Sequence, residues 1–155
     1  MGRELNVADK LMLSKNYKEH HLFKELDEMM DFYEAVSDRA FCFLPSGTKG
    51  FPNYESYYFM SIQGTLDSIK TLLKIARIND AFVLVRKVFD DILTEIYLDI
   101  TLKDKFDIKK GLYVEEVQKW IESSLRIPSV KNILKAIKNS PHTKDLYPFF
   151  GWDTY

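Results

Sequence analysis

The residues of this chain with the most chemistry to offer are its three histidines, its one cysteine and a few charged groups set among apolar neighbours. His20 and His21 are adjacent, and neighbours on a helix point about 100° apart, so one ion could not take both from that element. His21 and Glu25 stand one turn apart, a spacing that suits two metal ligands and equally suits a solvated surface pair. No Glu-x-x-His pair recurs on separate helices as a di-iron bundle requires. The sequence therefore predicts no metal and no cofactor. Nucleophilic catalysis finds no support either: there is no Gly-x-Ser-x-Gly turn, and Cys42, within Phe41-Cys42-Phe43, has no cation nearer than Arg39 to activate its thiol. That cysteine reads as a buried small hydrophobe, and a lone thiol fits a reducing compartment. The run from Ser46 to Gly50, SGTKG, lacks the spacing of a phosphate-cradling loop and has no apolar strand before it, so it reads as a plain loop.

Among the charged groups, Arg86 is the most informative. It lies inside Phe82-Val83-Leu84-Val85-Arg86-Lys87-Val88-Phe89-Asp90-Asp91, with Asp90 one turn on. On a buried helix such a guanidinium must be paired or reach solvent. Two accounts stay open: a structural ion pair with Asp90 or with Asp67 on the preceding helix, or a functional arginine with Asp90 as its catalytic companion. Lys131, Lys135 and Lys138 occupy successive turns opposite Ile133 and Ile137, with Lys144 beyond, while Lys103, Lys105, Lys109 and Lys110 cluster in a connection. These lysines are candidates for contacting RNA phosphates, against the alternative of a solvated face that keeps an amphipathic helix soluble.

The elements that must position these groups are parsed by proline, which removes a backbone donor and clashes with the preceding helical turn. Pro45 and Pro52 bracket a loop, Pro128 and Pro141 a later segment, and no proline falls between Asn53 and Ile127. Leu22, Leu26, Met29, Tyr33, Val36, Ala40 and Phe43 alternate spacings of four and three, which predicts a long N-terminal helix over about 17–44. Tyr58, Ile62, Leu66, Ile69, Leu73 and Ala76 predict a second over about 54–77, with Gly64 marking a close crossing by another helix. A turn at Arg77-Ile78-Asn79-Asp80, where Asn79 or Asp80 caps the next helix, leads to a third helix over about 81–102. Val85, Phe89, Ile92, Ile96 and Ile100 line one side of it, and Phe82, Val88, Leu93 and Tyr97 widen that face. So broad an apolar girth predicts the central, most buried helix. Two shorter helices complete the set, one around Val114, Val117, Trp120 and Ile121, the other opened by Ser129 and carrying Val130, Ile133, Leu134 and Ile137. Strand signals are confined to short pieces such as Ala40 to Leu44. The expected fold is an all-α helical bundle built on a central antiparallel hairpin of about 54–77 and 81–102.

At 155 residues the chain has the size of a single domain spanning 1–155, and such a domain buries about 70% of the surface its unfolded form exposes. It is 46% hydrophobic and 29% charged, too apolar for a disordered chain. With 22 Lys and Arg against 23 Asp and Glu, the net charge of −1 creates no global field toward nucleic acid or anionic lipid. The longest wholly apolar run, Ala81 to Val85, is far short of a membrane span, the N-terminus lacks a signal-like apolar stretch, and Asn6 stands where a myristoylation signal wants Ser or Thr. These features predict a cytoplasmic protein with no membrane partner. The ending, DLYPFFGWDTY, is unusually apolar for a terminus. Phe149, Phe150, Trp152 and Tyr155 are interface candidates there, either docking back onto the bundle, or packing on a partner, or leading into further structure if this chain is the N-terminal part of a longer protein.

The segment over about 61–99, above all SIKTLLKIARINDAFVLVRKVFDDILTEIYLDI, resembles the helical hairpin of an uncharacterised branch of bacterial proteins related to the HEPN domains of toxin and phage-defence systems. The turn matched by Arg77 to Ala81 and the central arginine matched by Arg86 carry the likeness, over about a quarter of the chain. It implies an all-α fold, assembly as a dimer and action on RNA. Active HEPN ribonucleases place a histidine beyond their arginine with four to six residues between, and here those positions hold Asp91, Ile92 and Leu93 after Arg86, and Lys131, Asn132 and Ile133 after Arg126. The expectation is accordingly a non-catalytic helical interaction or oligomerisation module, a homo-oligomer or the binder of a protein partner. The alternative is a HEPN-like RNA-binding or ribonuclease-type protein using Arg86.

Overall fold

A computed structural model describes residues 6–42, 51–105, 114–122, 124–145 and 148. Among the described residues all regular structure is helical, with no strand, giving an all-α bundle. Two short helices, α1 (Val7–Leu13) and α2 (Lys15–Lys18), precede the long α3 (Leu22–Cys42). The N-terminal helix expected over 17–44 is thus interrupted at residues 19–21. The interruption has a local cause: His20 Nδ1 accepts a hydrogen bond from the Leu22 amide at 3.2 Å, and the His20 carbonyl takes the Phe23 amide, so the histidine satisfies donors that open α3. Its ring stacks on that of His21 at 4.3 Å, and neither residue sits on a helix as their adjacency suggested. Upstream, Asn6 and Asp9 form a reciprocal capping box for α1. Of Ala40 to Leu44, read as a strand fragment, Ala40 to Cys42 are the last residues of α3, and Phe43 and Leu44 lie outside the described residues.

The face of α3 that meets α4 (Phe51–Lys74) runs through Leu26, Met30, Tyr33 and Ser37 rather than through Met29 and Val36. Met29 and Leu22 are exposed. The seam is rotated because two small polar residues sit at the contact: Ser37 and Ser56 are both buried, their hydroxyls 2.9 Å apart, and the Ser37 hydroxyl also bonds the Ser56 carbonyl. Mutual satisfaction offsets the cost of burying these hydroxyls. Along α4, Ile62, Leu66 and Ile69 are buried as the periodicity predicts. Pro52 lies in the first turn of α4 instead of ending the loop, a place where the missing amide has no helical partner to lose. Gly64 is exposed, and a side chain added there would meet nothing within 4 Å, so no helix crosses at it.

A three-residue connection joins α4 to α5 (Ile78–Lys105). The Ala76 amide bonds the Leu73 carbonyl and the Arg77 amide the Leu72 carbonyl, with Ala76 in the left-handed region at φ 56°. This double closure is a Schellman ending, and it takes Ala76 out of the seam expected for it. Asn79 and Asp80 fall inside the first turn of α5, where Asp80 accepts from Arg77 Nε at 2.5 Å and opposes the helix dipole, so neither is the cap. The two helices run in opposite directions: Lys87 bonds Ser61 and Thr65, while Tyr58 lies near Asp91 and Glu95.

Three clusters make the core. Leu26, Ile62, Leu66, Ile69, Ala81 and Val88 join α3, α4 and the first half of α5. Leu93 and Ile100 pack with Ile133, Leu134 and Ile137 of α7 (Val130–Asn139). Leu98 and Leu102 pack with Val114 and Val117 at α6 (Glu115–Ile121). No described helix is long and apolar enough to cross a membrane.

Candidate functional site

The apolar residues of α5 form a stripe at spacings of three and four: Phe82, Val85, Phe89, Leu93, Ile96 and Ile100. From Phe89 to Ile100 this stripe lies under α7, with Leu93 fully buried. Toward its start the cover ends. Phe82 is 68% exposed, Val85 47%, and Val83, on the adjoining face, 70%. The expectation that α5 is the central, most buried helix is therefore corrected for its first half: α3 and α4 cover only the side carrying Ala81, Leu84 and Val88.

Arg86 and Asp90 flank this open stripe. The Arg86 side chain is 85% exposed, so the guanidinium stands in water rather than in the core. Its Nε lies 4.0 Å from Asp90 Oδ2, an ion pair at the limit of contact and of the sort that contributes little in high dielectric. Beside it Lys87 is held firmly, donating to Asp91 at 2.5 Å and to the hydroxyls of Ser61 and Thr65. Lys87 thus adjoins two hydroxyls and a carboxylate, and among the described residues no histidine joins either cation.

On α7, Lys131, Lys135 and Lys138 are exposed on the face away from Ile133 and Ile137. None of the three borders the cavity beside Trp120 or the cleft beside Tyr17. The aromatic positions Phe149, Phe150, Trp152 and Tyr155 lie outside the described residues, as does the side chain of Cys42. His21 Nε2 sits 3.7 Å from Glu25 as an exposed pair, and among the described residues no group of three or more metal-binding side chains converges.

Two features escaped the sequence. Glu95 is buried where three helices meet, and Tyr33 of α3 and Tyr58 of α4 both sense its charge. Burial is the main force raising the pKa of each phenol; Glu95 adds to it for both, and for Tyr58 Asp91 contributes more than Glu95. Nearby, Tyr58, Tyr97 and Trp120 line a cavity of about 50 Å³, enough for a water or two, and the buried Trp120 indole N–H has no hydrogen-bond partner among the described residues. The second feature is an open cleft of about 460 Å³ lined by Tyr17, Lys18, Phe23, Asp27, Lys70 and Lys74. One signal for it was readable: Asp27 and Lys70 each follow a seam residue, Leu26 and Ile69, which puts opposite charges at the rim of one helix contact. The helix interruption at residues 19–21, between Lys18 and the start of α3, was not.

No family model, no characterised protein and no solved structure matches this chain.

Proposed function

We propose that this protein works by association, two copies pairing through the open half of α5. The observation that carries this is the run of Phe82, Val83 and Val85 left in water on a helix whose same stripe, one and a half turns further on, is sealed by α7. Contiguous apolar residues with a polar rim mark contact sites on folded proteins. A second copy fits the rim. In a two-fold, antiparallel pairing centred on the open patch, a rim that carries both signs, Arg86 and Asp90, is complementary to itself.

Light scattering across a range of concentrations tests this. The expected result is a concentration-dependent dimer that Phe82→Asp and Val83→Asp each convert to monomer without loss of helical circular dichroism. A wild-type protein that stays monomeric at high concentration overturns the proposal. A second reading, contact with RNA through Arg86 and the outward Lys131, Lys135 and Lys138, is favoured by the exposure of all four. It predicts binding that falls steeply with salt and weakens with Arg86→Ala; cleavage of mixed RNA by the wild-type chain alone would promote it to a ribonuclease.

A further inference from the structure

The cleft at the start of α3 has the composition of an anion site with an aromatic wall. Lys70 of α4 is only 16% exposed and is held in an ion pair with Asp27 of α3, while Lys18 and Lys74, both exposed, have no ion-pair partner among the described residues. Three lysines face one carboxylate, so the cleft carries surplus positive charge. The end of α4 would ordinarily set carbonyl oxygens against an anion here. Tyr17 satisfies one of them: its hydroxyl donates to the Leu73 carbonyl at 2.7 Å, and the Ala76 amide donates to the same oxygen. The Tyr17 and Phe23 rings, which line the same cleft, meet edge to face, centroids 6.1 Å apart, giving it an apolar part. Its volume, about 460 Å³, falls in the ordinary range for small-ligand sites.

We infer that this cleft binds a small phosphomonoester carrying a flat ring, of mononucleotide size, with Lys18 and Lys74 on the phosphate and Tyr17 and Phe23 against the ring. Lysine suits the phosphate as a compact charge, and a ring lying on aromatic side chains gains contact without needing sequence-like readout. Asp27 tempers the site by occupying Lys70. This ligand site involves none of the α5 residues proposed for pairing, so either idea can fail alone.

The test is calorimetric titration of the full chain with AMP, adenosine and inorganic phosphate in parallel. AMP is expected to bind saturably, with adenosine and phosphate each weaker by about tenfold or more. The double variant Lys18→Ala, Lys74→Ala, which alters only exposed side chains, should weaken AMP by about tenfold or more. Asp27→Asn, which releases Lys70, should tighten it. No saturable AMP binding up to about 10 mM overturns the inference. So does phosphate binding as tightly as AMP, or an unchanged affinity in the folded double variant.

Discussion

The two halves of α5 have similar apolar content and opposite fates. From Leu93 to Leu102 the helix is enclosed on several sides: Leu93 and Ile100 meet α7, Leu98 and Leu102 meet the α6 region, and Glu95 turns toward α3 and α4. From Phe82 to Lys87 it is enclosed on one side only, and three of its apolar residues stand in water. An apolar girth states how many neighbours a helix needs. It does not say how many the chain supplies, and where supply stops the surplus becomes a surface for something else.

Leu93→Ala and Phe82→Ala break this comparison most sharply. Leu93 is fully buried between α5 and α7, so its truncation should cost about 3 kcal/mol from lost burial plus the cavity left behind. Phe82→Ala, measured in dilute solution where pairing is absent, should stay within about 0.5 kcal/mol although it removes a larger side chain. Urea unfolding monitored by circular dichroism reads both. Equal losses would mean that Phe82 is covered in the folded monomer and the two halves are alike.

Much of this was legible beforehand, for reasons that also explain the failures. Periodicity finds helices wherever apolar residues repeat, and the positions of α4, α6 and α7 followed from Ile62, Leu66, Ile69, Val117, Ile133 and Ile137. It fails where the contact is made by residues it does not count. Ser37 and Ser56 bond each other across the contact of α3 with α4, at a position an apolar count leaves out in favour of Val36 and Met29. It fails again where polar side chains act on the backbone, as His20 does in opening α3. The candidate sites were harder still. The pattern puts Arg86 on a helix expected to be buried and leaves open whether the guanidinium is paired or reaches solvent, because burial depends on what packs across from it, which a single helix pattern does not contain.

The boundary between the halves of α5 carries a titration. Tyr33 and Tyr58 have pKa values raised first by burial, then by neighbouring carboxylates: Glu95 for Tyr33, Asp91 and Glu95 for Tyr58. In the unfolded chain these phenols ionise near pH 10. Above that pH the folded state holds protons the unfolded state has released, so stability falls as pH rises. Thermal melts from pH 8 to 11 should show this decline, and Tyr58→Phe should make it shallower. An unchanged slope in that variant would place Tyr58 in solvent and remove the polar boundary.

The open half depends at its base on the Ala76 turn. A residue with a Cβ in the left-handed region is strained, and glycine is the usual occupant of that Schellman position. Ala76→Gly should therefore stabilise the chain by about 1 kcal/mol, read as a raised urea midpoint with unchanged slope. A destabilised variant would show that the Ala76 methyl is packed and that the turn is part of the core.

Arg86 gives the smallest effect on the isolated chain and the finest distinction. A pair at 4.0 Å with an 85% exposed guanidinium should add no more than about 0.5 kcal/mol, so Arg86→Gln, Asp90→Asn and their combination should leave dilute-solution stability nearly unchanged, with no coupling between them. If α5 helices pair about a two-fold axis, coupling appears elsewhere, in the dissociation constant, because the same two side chains then stand at the rim of the contact. A double-mutant cycle run on both quantities separates the cases. Coupling in stability alone would tie Arg86 to Asp90 within one chain and leave the exposed half of α5 without the charge rim on which pairing depends.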